Sequence, residues 1–180
     1  LSSTGTEGTP TGNGSQYVSI ATWEAAAQGF HLAGDQTILE CYKGTTVTGA
    51  WNANGDYDGN VSLSGWANLT APDNCIIRAA AGEEHNGVRR ADGGTGFAWW
   101  SSSSANTVRN REASGFDLMG IEINQGSTAQ TLRMDTSTTV IHWDRLLCYR
   151  DAGLSGAHHN GFVRAAGSYI RNSGCVHDGS

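Results

Sequence analysis

Between Phe116 and Ser180 a short pattern of apolar positions returns three times, at a spacing far too long for a helix or a hairpin. Phe116–Ile123, Val140–Cys148 and Tyr169–Val176 each hold two short β-favouring runs separated by residues such as Gly, Asp or Ser. Phe116, Ile141 and Ile170 take equivalent places in these units. A period of this length marks stacked supersecondary units, none of which buries its apolar face until the next lies on it. The pattern predicts an all-β solenoid, with Phe116, Leu118, Ile121, Ile123, Ile141, Trp143, Leu146, Cys148, Ile170 and Val176 inside. Earlier strands are expected over 17–20, 36–42, 61–66, 75–79, 96–100 and 107–109. The interval from Ile76 to Phe97 is compatible with the same period.

One stretch departs from the strand pattern. Thr22–Gln28 is the best helix former in the chain, with Ile20, Trp23 and Ala27 at helical spacing, Ser19 or Thr22 as N-cap and Gly29 as terminator. A short amphipathic helix ahead of a solenoid would cap the first unit, whose end is otherwise an open apolar cross-section. Residues 1–16 are Ser, Thr and Gly with one Pro and no apolar period, and read as a flexible lead or arm. Residues 17–180 read as a single domain. The chain ends inside what reads as a turn of the solenoid, so the domain is expected to be truncated at its C-terminus.

Composition sharpens this picture. Gly is 25 of 180 residues, about twice the usual share, while Pro is only 2 and charged residues are 16%. Such a balance suits a turn-rich, polar-surfaced β protein. The net charge of −6, with a single lysine, Lys43, offers phosphate backbones no net electrostatic attraction, so nucleic acid is not an expected partner. No apolar run is long enough to cross a membrane as a helix. Cys41, Cys75, Cys148 and Cys175 lack zinc-type spacing and read as free thiols, with Cys148 and Cys175 at neighbouring places in successive units.

Candidate chemistry is sparse. His85–Ala91 and His159–Ala165 match at five of seven positions. Asn-Gly favours a positive-φ turn, so Asn86, Gly87, Asn160 and Gly161 are expected at repeated structural corners, with Val88 and Phe162 turned into the core. The functional alternative, His85 and His159 with His158 as a metal or acid/base pair, is the weaker reading, and no metal or other cofactor is expected. Asp56 and Asp58 resemble the start of a calcium loop, but no acidic residue closes it. Glycoside hydrolysis needs two carboxyl groups across a bond. Asp117, Glu122, Asp135, Asp144, Asp151 and Asp178 are available, and Asp117 and Asp144 stand about one period apart, on successive units. An enzyme would draw on Asp117, Asp144 and Arg145, with Arg171 a second candidate base, but such positions are also the outward half of an alternating strand. Trp99 and Trp100 point to opposite faces of one strand, and the outward ring is a candidate contact for glycan or for another subunit.

The phrases Tyr17–Ala26, Ile38–Tyr42 and Ile76–Gly87 resemble the opening of pectin-lyase-like right-handed β-helix proteins of phages and related environmental sequences, over roughly residues 17–180. The resemblance implies a right-handed parallel β-helix. It does not by itself imply lyase activity, since many such domains are structural parts of spikes, fibres or capsid surfaces; with no catalytic constellation in the sequence, the expected role is a non-enzymatic part of a virion surface, such as a capsid decoration, fibre or spike, located there or extracellularly. Its partners would be other virion proteins, copies of itself or a surface glycan. The acidic clusters of enzymatic members have no convincing match here, which leaves polysaccharide lyase or glycoside hydrolase as the alternative.

Overall fold

The computed structural model describes residues 2–4, 17, 19–32, 34–43, 57–66, 69, 75–102, 105–111, 116–126, 131–134, 142–150 and 169–177. Among them are one α-helix and fourteen short strands. In chain order these are β1 (Ser2–Thr4), α1 (Ile20–Phe30), β2 (Thr37–Cys41), β3 (Tyr57–Asp58), β4 (Val61–Leu63) and β5 (Cys75–Ala79). There follow β6 (Ala98–Ser101), β7 (Val108–Asn110), β8 (Asp117–Met119), β9 (Glu122–Gln125) and β10 (Leu132–Met134). The last four are β11 (His142–Asp144), β12 (Leu147–Arg150), β13 (Tyr169–Arg171) and β14 (Gly174–His177).

The strands form three sheets. The first has the order β1-β2-β5-β8-β11-β13, the second β14-β12-β9-β6-β3 and the third β10-β7-β4. From β2 to β12 the chain visits first, second and third sheet in that sequence and then begins again; β13 and β14 add a strand to the first and second sheets. All pairings are parallel except that of β1, which lies antiparallel on β2. The fold is therefore built of parallel sheets with one short helix. Parallel strands need a crossover, and here each crossover is made by the strands of the other sheets. Of the 1–16 lead, only the backbone of β1 is described.

Alternation selects the core. Leu39, Ile77, Leu118 and Trp143 of the first sheet meet Trp99, Ile123 and Cys148 of the second and Val61, Leu63, Val108 and Leu132 of the third in one buried cluster. Phe116, Ile121 and Leu146 join it from the turns. The expected core residues are thus buried wherever their side chains are described; Ile141, Ile170 and Val176 lie outside that set. Residues of the same strands with the other parity face away, as the two-residue period of a strand requires.

The register corrects the alignment of units. Leu118 pairs with Trp143, the same step along the chain as from Phe116 to Ile141. Trp143, however, pairs with Ile170, so the equivalent of Ile170 is Trp143 and not Ile141. Both choices put an apolar residue on the inner face, because a slip of two keeps the parity. Cys148 and Cys175 are directly paired positions. The earlier expectation for Phe97 also fails, since β5 and β6 belong to different sheets. Ile77 instead pairs with Leu118, and that longer step is taken up by the connection 80–97.

Helix α1 packs Ile20, Trp23 and Ala27 into the core, against a ring cluster in which Trp66 meets Trp23 at 5.6 Å and Phe116 at 5.2 Å. Ser19 is its N-cap, its Oγ accepting from Thr22 N at 3.0 Å, so Ser19 and Ile20 start the helix and do not belong to the strand expected over 17–20. Gly29 does not end the helix, which runs to Phe30. One helical glycine costs only about 1 kcal/mol. The stop comes instead from His31, held extended by a 2.9 Å side-chain bond to Thr37 and edge packing on Trp66. Glu24 fastens the helix to the chain after β4, accepting from Ser64 N and Trp66 Nε1, each at 3.2 Å, and from Gln28 Nε2 at 2.5 Å.

Candidate functional site

The turns from first to second sheet stack into a column. Gly120, Arg145 and Asn172 each follow the last residue of a first-sheet strand, and each has positive φ, at 69°, 52° and 48°. A left-handed residue there lets one strand end and the next begin within two residues. Gly120 N donates to Asp144 O and Arg145 N to Arg171 O, each at 3.0 Å, tying turn to turn.

In the connection β5–β6 the same corner is replaced by residues 80–97, which fold back as a flap. The flap is internally bonded: Phe97 N donates to Glu83 O at 2.7 Å, and Asn86 Oδ1 accepts from Val88 N and Thr95 N, each at 3.2 Å. His85 plugs the turn column. Its amide donates to Gly120 O at 3.2 Å, and its Nε2 bonds Arg145 O at 2.5 Å. Its Nδ1 accepts from Gly87 N at 3.1 Å, which sets the tautomer: Nε2 carries the proton and donates.

Beyond the turns the flap reaches the second sheet on the face away from the core. That face carries Ala98 and Trp100 on β6, Glu122 and Asn124 on β9, and Leu147 and Tyr149 on β12, in register. Arg90 N donates to both carboxyl oxygens of Glu122, at 2.9 and 3.0 Å, and Asn124 Nδ2 donates to Oε1 at 2.6 Å. The Arg89 guanidinium lies 5.6 Å above the Tyr149 ring. Glu122 is 1% exposed, and this burial pushes its carboxyl pKa up, against the lowering effects of Asn124, the Arg90 amide and the Arg89 and Arg90 charges.

The candidate catalytic residues lie on the outer face of the first sheet and its edge. Asp117 is 1% exposed and accepts the His142 amide at 3.1 Å, with the His142 ring 3.4 Å from its second oxygen. Asp144 is half-buried, accepts from Asn172 Nδ2 at 3.3 Å and lies 3.8 Å from Arg145 Nε. They are on neighbouring strands as expected, but Asp144 pairs with Met119, so the two carboxylates are offset along the strands rather than level. Arg145 is half-exposed, with Nη1 3.6 Å from Glu84.

Trp99 is not available for surface contact. It is fully buried, and its Nε1 donates to Gly59 O at 2.7 Å. Trp100 takes the opposite face, partly covered, with its ring against Gly126. Asn86 and Gly87 do form a turn, Gly87 having φ 84°, but Val88 is 43% exposed rather than turned into the core. The flap rather than a strand follows Gly87, so nothing carries Val88 inward. This first His-Asn-Gly segment lies between β5 of the first sheet and β6 of the second. Asn160, Gly161 and Phe162 lie outside the described residues, as do His158, His159, Asp56, Asp135, Asp151 and Asp178. Among the described residues no group of three His, Cys, Asp or Glu side chains is placed to hold a metal ion. Cys41, Cys75 and Cys148 are buried free thiols.

No protein-family model matches the chain, and neither does any curated protein or solved structure.

Proposed function

We propose that the chain is a right-handed parallel β-helix, capped by α1, and that it serves as a non-enzymatic structural part of a virion surface or another extracellular assembly. Three sheets of parallel-paired strands, visited in fixed rotation from β2 to β12, support the coil. Its hand follows from the strong right-handed bias of parallel crossovers.

The observation that carries the structural reading is the use made of the carboxylates. Asp117 fastens β8 to β11, Asp144 fastens β11 to the turn after β13, and Glu122 fastens β9 to the flap. A catalytic acid or base must reach substrate. These groups bind neighbouring coils instead, as parts of a stiff rod do. The resemblance to phage β-helix proteins agrees with this reading, and the partners it suggests are copies of the chain, other virion proteins and a surface glycan. Trp100 and the exposed Tyr42 are candidate contacts.

One observation favours the alternative of a polysaccharide lyase or glycoside hydrolase. Asp117, His142 and Asp144 share the outer face of one parallel sheet, with Asp117 beside the His142 ring. Both readings meet in one experiment. Electron microscopy of the native particle should show the chain as a fixed surface component, and the isolated chain should leave host glycan intact. Depolymerisation of that glycan, lost in Asp117→Asn or Asp144→Asn, would establish the enzymatic reading.

A further inference from the structure

The turn at Asn86 and Gly87 brings together a base, an amide nitrogen and a polarised carbonyl. The Gly87 amide donates to His85 Nδ1 at 3.1 Å, so the basic lone pair of the ring already faces that N–H. Nε2 of the same ring is tied to Arg145 O in the turn column, which fixes both the tautomer and the direction of the base. On the other side, Asn86 Oδ1 accepts from Val88 N and from Thr95 N, each at 3.2 Å. Two backbone N–H groups converging on one carbonyl oxygen stabilise negative charge that develops there. Gly87 has no side chain to crowd the approach of its nitrogen, and Asn86 is exposed, so water reaches it.

From this geometry we propose that Asn86 is a self-modification site, converted from amide to acid with His85 as the general base. His85 Nδ1 takes the proton of the Gly87 amide as that nitrogen attacks Asn86 Cγ. The oxyanion formed on Oδ1 rests on the Val88 and Thr95 amides. It collapses with breakage of the Cγ–Nδ2 bond, and the proton held by His85 leaves with Nδ2 as ammonia. Water then opens the cyclic imide to aspartate or isoaspartate at position 86. Overall a water is consumed and an ammonia released, with no change of oxidation state. The product adds a negative charge to the flap, and isoaspartate also lengthens its backbone by a carbon. Bonds that merely stiffened the turn would do the reverse, holding the nitrogen away from Cγ and slowing the conversion below that of the unfolded chain.

Peptide mass mapping of the whole chain, incubated folded and in concentrated guanidinium chloride at the same pH and temperature, reads the rate of the amide-to-acid mass gain at Asn86. A positioned general base is commonly worth about 10²–10⁴-fold, so the folded chain should convert at least about tenfold faster than the denatured one. Folded His85→Gln, which keeps a donor for Arg145 O but lacks the base, should lose that advantage. Conversion in the folded natural chain no faster than in the denatured chain would overturn the proposal, as would an unchanged rate in folded His85→Gln. Should that variant not fold, the comparison of folded with denatured natural chain decides alone.

Discussion

At the turn joining β11 to β12, Arg145 holds a backbone conformation that costs an L residue about 1–2 kcal/mol. What it gains in return are ion pairs with Glu84 at 3.6 Å and with Asp144 at 3.8 Å, between half-exposed and partly exposed side chains and together worth under about 1 kcal/mol. Arg145→Gly should therefore raise stability by about 1 kcal/mol, seen as a higher urea midpoint at unchanged slope; a lower midpoint would mean that the ion pairs outweigh the strain. The neighbouring Asn172 illustrates the same rule, since asparagine tolerates this region better than arginine does. The cysteines are governed by burial. Desolvation pushes the thiol pKa of both Cys41 and Cys75 far up, and neither side chain is exposed. At pH 8 an aromatic disulfide reagent should leave both untouched in the folded chain and label them after denaturation, because the reactive species is the thiolate.

Among the elements, α1 and the flap are each held by a few bonds that can be tested singly. Glu24→Ala removes the acceptor for Ser64 N and Trp66 Nε1 at the helix–core contact and should cost about 2–3 kcal/mol in chemical denaturation. Glu24→Gln, which keeps a carbonyl oxygen, should cost less. In the flap, Gly96 has φ 97°, and a Cβ there would stand 2.5 Å from Glu84 and His85 backbone atoms. Gly96→Ala should cost about 2–3 kcal/mol and loosen residues 80–97 first, as loss of amide protection would show. The helix was legible in the sequence because Ile20, Trp23 and Ala27 give it one apolar face. The flap was not. His85–Ala91 reads as a corner because Asn-Gly is a strong turn signal, which it is, but turn chemistry is local and does not say which strands the turn joins. The signal available was the step from Ile77 to Leu118, longer than that from Leu118 to Trp143, and it is legible only once those residues are known to pair.

For the whole molecule, apolar alternation identified the later strands and the core face, since inner positions such as Leu118, Ile123 and Trp143 must be apolar in any parallel arrangement that buries them. It could not fix register beyond parity, which is why Ile170 aligned with Ile141 instead of Trp143. The candidate carboxylates suffered the same limit: Asp117 and Asp144 share a face, but their bonds to His142 and Asn172 depend on neighbouring strands that the pattern alone does not align. The account rests on parallel stacking of strands distant in sequence, and short through-space proton contacts measured by NMR on the labelled chain test that most directly. Contacts linking Leu118 with Trp143, and Trp143 with Ile170, are the expected result. A hairpin pattern that instead joins Asp117–Met119 to Glu122–Gln125 in antiparallel register would contradict it.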